Sequence, residues 1–277
     1  MAVKFQEKNH KYESTDGANI KWVSATSLIS QFKEPFDADA SAKKSSKNKN
    51  SKWYGLPPEE IKAVWENISK QAQNLGTWYH NEREKLLCEL DTIEREGQAL
   101  PVIRPVFEGG EKLAPEQKLQ NGIYPEHFVY LKSVGVCGQS DLVEIVNNTV
   151  HITDYKTNNE LKVSGYKNWD GVSKKLLSPI NHLDDCHMNH YALQLSIYMY
   201  IIIKHNPNLR PGKLTIHHII FEELGKDKYG YGIKALDGEG NPIVKEIIPY
   251  DLPYLRSEVV AIFNWLKENQ DNLKPKK

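Results

Sequence analysis

The chain reads as one mixed α/β domain, and three observations point there. Residues 141 to 156, "DLVEIVNNTVHITDYK", hold two β-rich runs around Asn147-Asn148, a pair that tolerates the positive φ of a tight hairpin turn. Residues from Asp184 or Asp185 to about Lys204 form an apolar helical run containing "CHMNHYALQLSIYMYIIIK". The order is helices, three strands, a helix, more strands and a helix, with no repeat. A length of 277 residues, 39% hydrophobic and 26% charged, suits one large soluble domain with a core of normal size.

The elements follow in order. Residues 1 to 32 read as short strands around an Asp16-Gly17 turn, then a helix through "SLISQF" capped by Ser24 or Thr26. Residues 41 to 52, "SAKKSSKNKNSK", hold five lysines and no acid, which predicts a mobile loop. It is either a solvated linker or a phosphate-contacting arm using Lys43, Lys44 and Lys47. Pro57-Pro58-Glu59-Glu60 opens a helix-rich stretch to residue 95, with a break expected near Gly76. Residues 97 to 125 carry eight Gly and Pro residues and read as irregular. A strand is expected at 126 to 132, then the hairpin of 141 to 156. Residues 157 to 183 form a long loop. There Tyr166 and Trp169, among lysines, are either a stacking platform for bases or packed loop residues. A strand in "KLTIHHIIFEEL", a turn at "DGEGN" and a helix capped by Asp251 complete the chain. The expected division is an N-terminal elaboration (1–75), a core (76–225) and a C-terminal hairpin with helix (226–277).

Several function classes lose support. Lys+Arg and Asp+Glu balance at 36 each, so any basic surface is local. Cys88, Cys137 and Cys186 are scattered, which argues against a zinc ribbon, an iron–sulfur cluster or a disulfide framework and fits a reducing cytoplasm. No phosphate-binding loop for a nucleotide appears. The N-terminus is too polar for a signal peptide, and the longest apolar run is too short to span a bilayer.

What remains is a set of spaced polar residues. His80 and Glu84 share a helix face one turn apart, with Gly76 one turn earlier leaving room for close approach. "VCGQSD" suggests a turn delivering Asp141. With the hairpin turn at 147 and 148, residue i pairs with 295 − i, so Asp141 faces Asp154. Opposed Cβ atoms lie ~4.5–5.5 Å apart, and two bare carboxylates there repel unless a cation sits between them. Oxygen ligands of this kind suit Mg²⁺ or Mn²⁺. Lys156 follows on the Asp154 face, where it could orient an attacking water or neutralise phosphate charge. His190, Gln194 and Tyr198 form a polar stripe on an otherwise apolar helix, a pattern that a solvated face also explains.

Gly76-x-x-x-His80, Gly138-x-x-Asp141, Asp154-x-Lys156-Thr157 and Gln194-x-x-x-Tyr198, in that order, resemble the PD-(D/E)XK nuclease superfamily. The likeness is greatest to the RecB-type branch that includes phage and mitochondrial genome-maintenance exonucleases. The flanks "HKYESTDGANIKWVSATSLISQFKEPFDAD" and "LSPINHLDDCHMNHYALQLSIYMY" look like those of bacteriophage-encoded nucleases of this type. The resemblance implies a restriction-endonuclease-like core, a central mixed sheet flanked by helices. It implies one or two Mg²⁺ or Mn²⁺ ions on His80, Asp141, Asp154 and the Tyr155 carbonyl, with Lys156 catalytic. Gln194 and Tyr198 would hold the lysine region or the scissile phosphate. Glu126 would bind through water or support the ligands, Glu84 would support His80, and Thr157 and His190 would contact DNA. The four cysteines of cluster-bearing relatives are absent.

The expected activity is exonucleolytic hydrolysis of DNA, on single strands or duplex ends, leaving 5′-phosphates. The expected setting is the cytoplasm, of the host if phage-encoded, beside recombination or replication partners and with no membrane. Two other readings stay open: a sequence- or structure-specific endonuclease, and a non-catalytic DNA-binding repair partner on a nuclease scaffold.

Overall fold

A computed structural model describes residues 3–6, 11–14, 19–108, 111–113, 116–167 and 170–274. The Asp16-Gly17 turn and Trp169 lie outside the described residues. Strands β1 (Val3–Gln6) and β2 (Lys11–Ser14) pair with each other, and β3 (Val23–Ser24) leads into α1 (Ala25–Ser30). Helices α2 (Ala38–Lys47) and α3 (Pro58–Cys88) follow, then two small ribbons, β4 (Thr92–Arg95) with β5 (Gln98–Pro101) and β6 (Phe107–Glu108) with β7 (Glu111–Lys112). β8 (Gly122–Leu131), β9 (Val136–Val146) and β10 (Thr149–Lys156) are antiparallel neighbours. α4 (His187–His205) carries the chain to β11 (Arg210–Phe221), which lies parallel to β10. β12 (Glu223–Lys226) and β13 (Gly232–Lys234) form a hairpin, β14 (Val244–Leu252) pairs with β11, and α5 (Arg256–Asn269) follows. No helix among the described residues is long and apolar enough to cross a membrane.

The central sheet is mixed, ordered β14-β11-β10-β9-β3 with β8 on the other edge of β9. Its hairpin keeps the expected register, from Thr149↔Val146 to Thr153↔Leu142. Asn147 and Asn148 stand at φ 51° and 60°, the left-handed pair a two-residue turn requires. Helices cover both faces. On one, α4 buries Leu193, Leu195, Ile197 and Met199 against Val150, Ile152, Val143 and Ile145, with α1 and α5 beside it. On the other, Tyr79 of α3 packs on Tyr155, Ile219 and Phe221. Even-numbered β10 residues face α4 and odd-numbered ones face α3, as strand alternation demands.

Other expectations change. The Lys-rich segment is a loop only in part: residues 41–47 lie in α2, and residues 48–52 follow it as turns. Asp37 caps that helix by accepting from the Ala40 amide at 2.9 Å, and Ala42 is buried against Trp53 and Ile61. One cap and one buried small residue outweigh a solvated lysine face. α3 runs unbroken through Gly76, because Ile61 on one side and Tyr79 and Leu87 on the other are buried. Residues 92–101 make a hairpin, where the helix-rich stretch was expected to reach 95 and irregular chain to follow. Asp251 caps nothing: it sits in β14 opposite Thr215, whose hydroxyl donates to it at 3.1 Å. The terminal stretches are not appendages either, since β3 and β14 enter the central sheet while α1 and α5 enter its core.

"VCGQSD" is also not a turn, for Val136 to Asp141 lie within β9. Gly138 is there for a steric reason: a Cβ at this position would overlap the Tyr198 ring of α4. Gly138→Ala is therefore expected to cost about 1–3 kcal/mol in denaturant melts. Tyr198→Leu in the same chain should recover part of that loss, whereas a turn role for Gly138 would leave the double variant no better.

Candidate functional site

β9 pairs with β8 along one whole edge. On its other edge it pairs with β10 at residues 142–146 and with β3 at 136–137. Asp141 sits where the second edge changes partner. The register Pro125↔Leu142 and His127↔Ser140 brackets Glu126 opposite Asp141, while Thr153↔Leu142 leaves Asp154 one step beyond the last pair, beside Asp141. Three carboxylates thus share one transverse row of three adjacent strands. Neither step at Asp141 is a regular ladder pair. Glu126 has φ 47°, a left-handed conformation that costs a non-glycine residue about 1 kcal/mol or more.

His80 of α3 reaches into this row. Its Nδ1 lies 3.3 Å from Asp141 Oδ1 and 3.8 Å from Glu126 Oε1. Its Nε2 lies 3.1 Å from the Tyr155 carbonyl, which can only accept, so Nε2 carries a proton. One ligand atom each from His80, Glu126 and Asp141 falls within 4.8 Å of the others. Asp141 Oδ2 accepts the Tyr155 amide at 2.7 Å, so a backbone donor fixes the second oxygen. Gln139, two residues before Asp141, donates to Glu126 Oε2.

Asp154 and Lys156 form the adjoining half. Their side chains pair directly, both buried under α4. The Gln194 amide donates to Asp154 Oδ1 at 3.5 Å and to the Tyr198 hydroxyl at 3.2 Å. The Lys156 ammonium lies 4.8 Å from the centre of the Tyr191 ring, whose hydroxyl donates to Asn158 at 2.9 Å.

The electrostatics follow from three buried carboxylates against two cations. Burial pushes both Glu126 and Asp154 up to about 6 and the Asp141 charge adds to it; His80 opposes at both, with Lys112 at Glu126 and Lys156 at Asp154. Burial would raise Asp141 as well, but His80, Lys156 and the Tyr155 amide together hold it below the usual range. Burial lowers His80, yet the carboxylates overcome it and push the imidazole to about 11. Lys156 is likewise raised against its burial by Asp154 and Asp141. The cluster is short of positive charge even with both cations protonated.

A divalent cation fits this donor set. One imidazole nitrogen and two or three carboxylates suit a hard, oxygen-preferring ion such as Mg²⁺ or Mn²⁺, while the Tyr155 carbonyl, expected as a ligand, lies on the far nitrogen of His80. Nδ1 of His80 is the nitrogen on offer, and Nε2–H bonded to the Tyr155 carbonyl is the usual way a ligand imidazole is oriented.

The structure brings together most of the residues expected from sequence. His80, Asp141, Asp154, Lys156, Gln194 and Tyr198 converge, and Glu126 joins the cluster itself. The Tyr155 carbonyl bonds His80. Glu84 does not support His80; its carboxylate pairs with buried Lys112 at 2.7 Å. His190 is bound to Asp185 at 2.8 Å, and burial pushes it down to about 4. Thr157 lies against α3, where a Cβ on Gly76 would touch its hydroxyl at 3.4 Å. Tyr166 is 81% exposed. Lys43, Lys44 and Lys47 stand on α2, which packs on α3 at Ile61, roughly 28 Å along that helix from His80. Sequence reasoning missed Gln139, Tyr191, Lys112 and Arg83, whose guanidinium lies 5.8 Å from the Tyr155 ring centre. Gln139 could have been found by strand alternation from Asp141, and Tyr191 by helical spacing from Gln194. The chain matches no family model, no curated protein and no solved structure.

Glu126 combines a strained backbone with an under-compensated buried carboxylate. Glu126→Gly is therefore expected to stabilise the metal-free protein by about 1 kcal/mol, read as a higher urea midpoint in EDTA. An unchanged or lower midpoint would mean that the strain and charge are fully offset by Gln139 and His80.

Proposed function

We propose that this chain is a Mg²⁺- or Mn²⁺-dependent deoxyribonuclease of the PD-(D/E)XK type. In this reading it belongs with the RecB-like, phage-type exonucleases and hydrolyses DNA to leave 5′-phosphates. The observation that carries it is the meeting of His80, Glu126 and Asp141 beside the paired Asp154 and Lys156. They match the motif residues of that superfamily and come from three adjacent strands and one helix, in the chain order the resemblance requires.

The chemistry assigns each residue a task. His80, Glu126 and Asp141, with Asp154 beside them, would hold the cation, and the Tyr155 carbonyl orients His80 through Nε2. When bound, it supplies a Lewis acid for the scissile phosphate and a water of lowered pKa. Lys156, kept as an ammonium by two carboxylates, is a donor rather than a base. It orients the attacking water and screens the phosphate charge. Attack at phosphorus breaks the bond to the 3′ oxygen. Gln194 keeps Asp154 from rotating away, and Tyr198 keeps Gln194 in place.

End-labelled single- and double-stranded DNA with Mg²⁺ or Mn²⁺ tests the reading. Wild type should release 5′-phosphorylated products. Lys156→Ala and Asp141→Ala should each lose about 10²–10⁴-fold in rate. Unchanged cleavage in both variants sinks the site assignment, and no cleavage by wild type on any substrate sinks the nuclease reading.

Protons and the cation compete for the same atoms, so affinity must rise with pH. Above about 6 Glu126 and Asp154 are already ionised, and the proton still to leave is that of His80, held up to about 11. Mn²⁺ affinity measured by calorimetry should therefore climb roughly tenfold per pH unit from neutrality upward, one proton being released per ion. His80→Gln should bind more weakly and with that slope removed. A slope that persists in the variant would place the released proton elsewhere.

A further inference from the structure

Two cavities begin one residue beyond Lys156. The first, about 260 Å³, is lined by Thr157, Asn158, Asn159, Glu223, Lys234 and Lys245 among others. The second, about 380 Å³, shares Thr157, Asn159 and Lys234 with it, and its walls are Ile68, Ala72 and Leu75 of α3 against Tyr231 and Ile233 of the β12–β13 hairpin. The chambers differ in chemistry. The first is polar and cationic: Lys234 bonds Asn159 at 3.2 Å and Glu223 at 2.7 Å, while the Lys245 ammonium has no partner among the described residues. The second has a more apolar surface, from Ile68, Ala72, Leu75 and Ile233 with the Tyr231 ring, and also carries Gln71 and Asp227, whose carboxylate accepts the Tyr229 and Tyr231 amides. Its far side is bridged, because Lys52 donates to the Tyr229 carbonyl at 3.0 Å and stacks 3.8 Å from the Tyr231 ring centre.

Resting on the nuclease reading, we propose that these chambers form a subsite for one unpaired nucleotide next to the scissile phosphate. Its phosphate lies toward Lys245 and Asn158, and its base lies between α3 and the hairpin, against Tyr231. A charged pocket joined to an apolar one of these sizes matches the two ends of a nucleotide. A base lodged between α3 and the hairpin is separated from a pairing partner by those walls. The substrate class is therefore single-stranded DNA, or an end that has unpaired.

Binding without cleavage tests this. The full chain in EDTA is titrated against a labelled single-stranded oligothymidine, the same strand lacking all bases, and a duplex, with anisotropy as the readout. Wild type should bind oligothymidine about tenfold or more tighter than the baseless strand, the scale of one stacked base, and should disfavour the duplex. Lys245→Ala should lower the salt slope for the single strand by about one. Ala72→Trp, on an exposed helix position, should fill the apolar chamber and bring the two single strands to equal affinity. Equal wild-type affinity for both single strands, no binding at all, or variants indistinguishable from wild type would each overturn the subsite. The nuclease reading fails separately: base-dependent binding with no cleavage on adding Mg²⁺ or Mn²⁺ keeps the subsite and removes the activity. Cleavage with wild-type KM in both variants does the reverse.

Discussion

Repulsion within the Glu126–Asp141–Asp154 row is the constraint on which the rest of the site depends. Buried like charges on neighbouring strands are costly: burial first, with the Asp141 charge adding to it, displaces the two flanking carboxyls up to about 6. Every polar group around the row reduces that cost. His80 enters from α3 as a cation and is oriented by the Tyr155 carbonyl. Lys156 pairs with Asp154 from the same strand, two residues on. The Tyr155 amide, Gln139 and Gln194 each donate to one carboxylate of the row. Even so, charge balance is not reached. A structure that ends one positive charge short in a buried cluster is better explained by cation binding than by packing.

The sheet makes this cluster possible by opening at one point. β9 changes neighbour between residues 137 and 142, so the backbone around Asp141 is free of a ladder on that edge. That frees the Tyr155 amide to bond a side chain instead of a strand. Gly138 lies in the same gap, and its missing side chain admits the Tyr198 ring, which in turn positions Gln194. One helix therefore serves both packing and polarity: its apolar stripe anchors it to β10 while Gln194 and Tyr198 cross the gap.

Most of this frame was legible because it rests on local rules. The Asn147-Asn148 turn gave the register, and the register gave the opposition of Asp141 and Asp154. The apolar α4 and the alternation in β10 followed from periodicity. What was not legible depended on distant partners. Nothing near Ala42 announces that Trp53 and Ile61 bury it and turn a lysine-rich stretch into helix. Nothing near Glu84 announces Lys112. Asp251 has the residue type of a cap, but β11 recruits its segment into the sheet first. Glu126 was expected to act through water or in support, not as a direct member of the cluster. Its left-handed φ interrupts the β8–β9 ladder between Pro125 and His127 without shifting the register, and it leaves no local mark.

The same alternation explains why consecutive residues can serve both faces of the sheet. Asp154 and Lys156 project toward α4. Tyr155 projects toward α3, where Tyr79 and Arg83 hold its ring, and Thr157 meets Gly76 on that helix. A Cβ at position 76 would meet the Thr157 hydroxyl at 3.4 Å, an ordinary contact, whereas a longer side chain there would press on Thr157 just as the chain leaves the sheet. Gly76 is thus less a helix breaker than a point of close approach, one turn before His80 reaches the carboxylate row.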